Sequence, residues 1–174
     1  MSNTSRRWTK AAMIAGVTTL IVAASAAVGV VSSAAADPPA PIASEALTLR
    51  SVFTDDINMK LRLKDDHGAT TVVEVDDPSR TVVVRYTVQP GAQFPWHSHA
   101  GPVFVNLVQG ELTYIEADGC VETRYTSGQA FVDPGQGHVH SAINRGTVPA
   151  VLIATFYDAP AEGGLLIPAS PGNC

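Results

Sequence analysis

Basic residues are scarce in this chain. Its 174 residues include 11 Lys and Arg against 16 Asp and Glu, and the basic ones form no patch. Nucleic-acid binding needs a basic footprint to neutralise phosphates, so that class of partner is excluded. Cysteine is rarer still. Cys120 and Cys174 are the only two, and neither has a histidine or a second cysteine nearby, so neither reads as a metal ligand or a nucleophile. Amphipathic helical periodicity is absent after residue 36, which excludes helix-bundle and βαβ architectures.

What the chain does have begins with an apolar N-terminus. Arg6, Arg7 and Lys10 precede an uncharged run from Ala11 to Val31, and Ala34-Ala35-Ala36 stands before Asp37-Pro38. A positive start, an apolar middle and small residues at the end make a secretory signal, with cleavage expected after Ala36. The competing reading is a retained anchor, because roughly 17 to 25 apolar residues suffice to span a bilayer. Ala, Gly, Thr and Ser dilute this run, which favours cleavage and leaves membrane attachment only to the retained form. Arg6-Arg7 also resembles a twin-arginine signal, an alternative to general secretion, although Thr9 and Lys10 depart from its apolar pair. The protein is thus expected to be exported, to the cell envelope or beyond it. Without residues 1–36 it carries 8 basic and 16 acidic residues, a formal charge of −8, which suits small-molecule or protein partners.

Export gives the two cysteines a meaning. In an oxidising compartment an even count invites a disulfide, with two free thiols as the alternative. A Cys120–Cys174 bond would staple the last residue to a turn at Asp118-Gly119 and contribute on the order of 3 to 4 kcal/mol.

Residues 37–45 read as a proline- and alanine-rich linker, 46–158 as a β-domain and 159–174 as an extended tail rich in proline and glycine. Strands are expected at 47–53, 57–63, 70–75, 81–88, 103–108, 111–116, 121–125, 129–132, 138–144 and 151–157. The segment 57–63 alternates strictly between apolar and polar residues, and Asp76-Asp77-Pro78-Ser79 and Gln109-Gly110 read as turns. Many short strands with turn signals between them point to an all-β sandwich, jelly roll or barrel.

His97 and His99 lie two apart, so on a strand both imidazoles point to one face. His140 follows a glycine-rich stretch. On these residues the chain resembles the cupin superfamily. Its first motif runs glycine, five residues, His-x-His, three or four residues, glutamate, six residues, glycine, and Gly91, His97, His99 and Gly110 fall on that spacing. Its second runs glycine, five residues, Pro-x-Gly, two residues, His, three residues, Asn. Gly128 and Pro134 match the front and Gly137, His140 and Asn144 the back, with one extra residue between Pro134 and Gly137. The resemblance implies a double-stranded β-helix, or jelly-roll barrel, with a metal at its centre. It also makes a homodimer paired through its sheets the default assembly.

The departure from the pattern is the glutamate. Its place falls on Val103 or Phe104, neither of which binds a metal. The expected ligands are therefore His97, His99 and His140, three neutral imidazoles that leave the ion its full charge and open positions. His138 shares parity with His140, as a further ligand or base on one reading and a rim histidine on the other. Gln93 is a further candidate whose direction Pro95 obscures, and His67 sits in a charged turn. Trp96, Phe104, Tyr114, Phe131 and Phe156 read as core or pocket lining. Tyr86 is an ordinary strand residue, or alternatively a hydroxyl for a substrate. Glu111, Glu116 and Glu122 are strand-end carboxylates that nothing in the spacing singles out as a base.

Two functions follow from this reading. One is an exported metal-dependent enzyme of dioxygenase, isomerase or hydrolase type acting on a small molecule. The other is a non-catalytic module that captures a ligand or metal in the envelope. Imidazole ligands suit Fe, Mn, Zn, Ni or Cu, so the ligand set alone does not select the ion.

Overall fold

Strict alternation decides the architecture. Val82, Val84, Tyr86 and Val88 are buried along β5 (Arg80–Val88), as are Ala150, Leu152, Ala154 and Phe156 along β12 (Ala150–Tyr157), while their neighbours are less buried. A strand with one apolar face must lay it against a second sheet, which yields two stacked layers. The computed structural model describes residues 41–64, 68 and 70–174. The expected signal or anchor segment, residues 37–40 and His67 lie outside the described residues.

The other strands are β1 (Ile42–Ala46), β2 (Ser51–Val52), β3 (Asn58–Lys64), β4 (Thr70–Asp76), β6 (His97–Ser98), β7 (Val103–Gln109), β8 (Glu111–Glu116), β9 (Glu122–Thr126), β10 (Ala130–Asp133), β11 (His140–Ile143) and β13 (Ile167–Pro168). One sheet runs β1-β5-β12-β7-β10, with β2 also on β5, and the other runs β13-β6-β11-β8-β9; β3 and β4 form a separate hairpin. The pairings are antiparallel. The described residues form an all-β double-stranded β-helix, the jelly-roll architecture expected from the strand pattern and the motifs.

The core lies between the two layers. Phe156, Leu152, Val105 and Leu107 from the first sheet meet Leu112 and Ala142 from the second. Leu112 is 1 % exposed, so truncating it to alanine would cost about 2 to 5 kcal/mol. The β7–β8 turn needs Gly110, which has φ of +73°. A Cβ there would stand 2.6 Å from the Pro149 carbonyl oxygen.

Most expected strands shift by a residue or two, the one expected over 138–144 shortens to His140–Ile143, and two segments differ more. Ile42–Ala46, placed partly in the linker, is a strand whose register pairs Ile42 with Val88 and Ala46 with Val84. Its backbone completes the edge of β5, and only Ile42 packs on the core, so side-chain alternation gave no signal. The single strand expected over 47–53 shrinks to Ser51–Val52, since the chain bends at Leu47 and Thr48. The tail holds the short strand Ile167–Pro168 on β6, and Cys174 is bonded to Cys120 with a Cα separation of 5.7 Å, inside the ordinary range for disulfides.

Candidate metal centre

Backbone pairing brings the three histidines together. His97 on β6 and His140 on β11 are direct register partners, and His99 lies just beyond β6. All three are buried. Ring centroids are 4.2 Å apart for His97 and His140, 4.8 Å for His97 and His99, and 5.1 Å for His99 and His140. One ring nitrogen from each lies within 4.8 Å of the others, a group that can hold a metal ion.

Every Nδ1 in this group faces oxygen. His97 Nδ1 is 2.6 Å from the Pro95 carbonyl oxygen and His99 Nδ1 is 2.8 Å from that of Leu165. His140 Nδ1 lies 3.0 Å from Asp133 Oδ2, with the His138 carbonyl oxygen at 3.4 Å. A carbonyl only accepts, so Nδ1 of His97 and of His99 carries the proton and donates, and beside the ionised Asp133 the same holds for His140. That leaves Nε2 on each ring with a free lone pair, the arrangement in which an outer oxygen fixes the tautomer and aims the ligand nitrogen. The donor set therefore fits a divalent ion.

Electrostatics agrees. Burial, followed by repulsion from His140, lowers the His97 pKa to about 4, although its bond to Pro95 works the other way. Burial likewise lowers His99 against the opposing bond to Leu165. Neutral imidazole is the form that binds metal, so both side chains are held ready at neutral pH.

Behind His140 lies a cluster of Tyr114, His138 and Asp133, of which only Asp133 was not singled out in the sequence. Asp133, 1 % exposed, accepts from Tyr114 Oη at Oδ2 and from the Gly135 N–H at Oδ1 over 2.8 Å, and its Oδ2 is 3.2 Å from His138 Nδ1. Burial alone would raise this carboxyl, yet bonds from His138, His140 and Tyr114 outweigh it and hold Asp133 well below the usual carboxylate range. Tyr114 is pushed far up by burial and then by Asp133. The signal that could have found Asp133 is its position directly before Pro134 in the second motif, where a polar residue ends a strand.

The remaining candidates lie outside the three-histidine group, although His138 forms a second group with Asp133 and His140 whose ligand atoms also lie within 4.8 Å of one another. His138 sits behind Asp133, raised by that hydrogen bond, with Nε2 3.9 Å from Glu116 Oε2. It lines an outer cleft rather than the histidine cavity. Gln93 is exposed and donates to Ser141 Oγ over 2.9 Å, outside the cavity. Glu111 is paired with Arg124 and Glu122 with Arg145. Asn144 is fully buried and structural: its Nδ2 donates to the carbonyl oxygens of Val88 and Val148 at 2.9 Å, and its Oδ1 accepts from Gly146 N–H.

The histidines open on a cavity of about 50 Å³. A dry cavity of roughly 150 Å³ holds benzene, so this one admits a guest of only a few heavy atoms. Tyr114, Phe131 and Phe156 line it as expected, while Trp96 and Phe104 do not. Val103 is part of its apolar wall, whereas Phe104 packs on Tyr157 with centroids 5.5 Å apart. Tyr86 also lines it. Its hydroxyl makes no hydrogen bond with the described residues, and burial raises its pKa to about 12. Leu166, from the tail, forms another part of the wall.

No curated protein sequence matches the chain. Among solved structures, a conserved protein of unknown function from Streptococcus pyogenes is similar at 12 % identity, over 74 % of this chain and 75 % of that one, with a TM-score of 0.44. An uncharacterised conserved protein with a double-stranded β-helix domain from Klebsiella pneumoniae is similar at 21 % identity over 70 % and 91 %, with a TM-score of 0.43. A cupin-2 domain containing protein from Shewanella frigidimarina is similar at 18 % identity over 44 % and 70 %, with a TM-score of 0.38. The segment from β5 to β12 that holds all three histidines and Asp133, residues 84–156, matches the family described as Cupin domain.

Proposed function

We propose that the protein is an exported cupin-domain metalloprotein that holds one divalent first-row ion on His97, His99 and His140 and takes a compact small molecule beside it. The observation that carries this reading is the commitment of all three Nδ1 atoms to oxygen, which leaves three Nε2 lone pairs for an ion. The family's glutamate ligand falls on Val103 or Phe104, neither of which binds a metal, so the ion keeps its charge and favours an anionic or chelating guest. Bound there, the ion supplies Lewis acidity and, depending on its identity among Fe, Mn, Zn, Ni and Cu, an activated water or dioxygen chemistry. The chain's own residues exclude water with the apolar wall and offer the Tyr86 hydroxyl as a hydrogen-bonding partner for the guest. Export is supported by the composition of residues 1–36 and by the Cys120–Cys174 bond.

Elemental analysis after loading with each of the five ions tests this reading. One ion per chain is expected in the wild type and none in the His97→Ala/His99→Ala double variant; a folded wild type that refuses all five ions overturns it.

A non-catalytic binding function is favoured by one observation. Among the described residues lining the cavity, no group besides the histidines can exchange a proton near neutrality, since Asp133 is held far down and Tyr114 and Tyr86 are held up. Guest binding that survives His97→Ala would select this reading.

A further inference from the structure

The last fifteen residues, 160–174, are fastened to the barrel along their length. Arg50 donates to the carbonyl oxygens of Pro160 and Gly163, the latter over 2.5 Å from Nη2. Leu165 offers its carbonyl oxygen to His99 Nδ1 at 2.8 Å, and Leu166 turns into the histidine cavity. Ile167 and Pro168 then pair with Ser98 and His97, and the Ala169 N–H donates to the Trp96 carbonyl oxygen over 3.1 Å. The end is covalent, Cys174 to Cys120, and both of these residues are exposed.

Two consequences meet in this strap. His97 and His140 take their outer oxygens from the barrel segment, at Pro95 and Asp133, but His99 takes its own only from the tail. The tail also supplies Leu166 to a wall that already confines the guest to a few heavy atoms.

We propose that residues 160–174 are a working part of the metal centre: the Leu165 carbonyl positions His99, Leu166 sets the guest size, and the Cys120–Cys174 disulfide keeps both in place. The proposal rests on the three-histidine reading above. Losing an outer hydrogen-bond partner of a ligand lowers metal affinity roughly 10- to 100-fold. Undocking the tail therefore weakens the ion, and by linkage the bound ion holds the tail down by the same factor. The disulfide gives an external reductant a handle on that equilibrium.

The test uses full-length protein and Zn(II), with affinity measured by competition against a chromophoric chelator and folding checked by circular dichroism. Ala169→Pro removes the N–H that clips the strap beside His97, and C120S/C174S frees its end without leaving a thiol to bind zinc. About tenfold weaker binding is expected from Ala169→Pro and a smaller loss from C120S/C174S, while Ala169→Ser, which keeps the N–H, matches the wild type.

A second measurement uses the unaltered chain. A phosphine reductant passes two electrons to the S–S bond, water supplies the oxygen of the phosphine oxide and the two thiol protons, and the free thiols are counted over time. Reduction is expected to be several-fold slower in the zinc-loaded protein than in the metal-free one. Folded variants that bind zinc as tightly as the wild type, or equal reduction rates, overturn the proposal. A wild type that binds no zinc but takes another of the five ions moves both measurements to that ion, and one that binds none overturns the metal reading itself.

Discussion

Asp133 Oδ2 and His140 Nδ1 lie 3.0 Å apart, and this contact decides which nitrogen of His140 remains for an ion. The carboxylate also serves Tyr114, His138 and the Gly135 amide, so one buried charge orients a ligand, a cavity wall and a turn. Asp133→Asn keeps the shape but turns an N–H₂ or a weaker acceptor toward donors. Metal affinity is expected to fall about 10- to 100-fold by titration calorimetry, with a loss of about 3 kcal/mol in urea unfolding.

The three candidate histidines were legible in the sequence and the groups that support them were not. His97, His99 and His140 stand out because a spacing of two on a strand and a glycine-rich turn are local features. Asp133 and Leu165 are recognisable only through pairing: β10 on β7 places Asp133 opposite Val103, and β13 on β6 brings the tail beside His97. The strands of the core were readable from alternation. Ile42–Ala46 was not, because an edge strand is held by backbone bonds that leave no mark on side-chain pattern.

Acid should destabilise the metal-free protein through His97. Its pKa is about 4 when folded against 6.5 for the ordinary side chain, so above pH 6.5 both states are neutral and the group contributes nothing. As pH falls from 6.5 to 4 the unfolded chain takes up a proton that the folded one refuses, and stability drops by up to about 3 kcal/mol. His97→Asn lacks this proton. Urea unfolding of both chains at pH 7.5 and 4.5 should show the wild type losing more than the variant.

Tyr86→Phe tests a hydroxyl on the wall of the histidine cavity that makes no hydrogen bond with the described residues. A group reserved for a guest adds nothing to the empty fold, so the variant should be as stable as the wild type, or more stable by up to about 1 kcal/mol, in thermal unfolding. A clear loss of stability would mean that the hydroxyl has a structural partner and is not waiting for a ligand.

Asn144→Ala separates the motif's structural member from its ligands. Three buried hydrogen bonds tie Asn144 to Val88, Val148 and Gly146, so its removal should cost about 3 kcal/mol. The folded fraction should still bind metal with unchanged affinity, because no ligand or outer oxygen is touched. Calorimetric titration at a temperature well below the variant's melting point checks this.

Gly135 and Gly137 frame the turn that carries the extra residue of the second motif, and their substitutions should differ sharply. Both have positive φ, +65° and +89°, which costs an alanine about 1 to 2 kcal/mol. A Cβ on Gly137 meets nothing within 4 Å, so Gly137→Ala should cost no more than that strain. On Gly135 it would stand 2.0 Å from the Gly101 carbonyl oxygen, which is backbone and cannot rotate away. The turn must shift, and the Gly135 N–H that donates to Asp133 over 2.8 Å shifts with it. Gly135→Ala should therefore lose more than about 4 kcal/mol in urea unfolding and, in the fraction that folds, bind metal more weakly, while Gly137→Ala binds as the wild type.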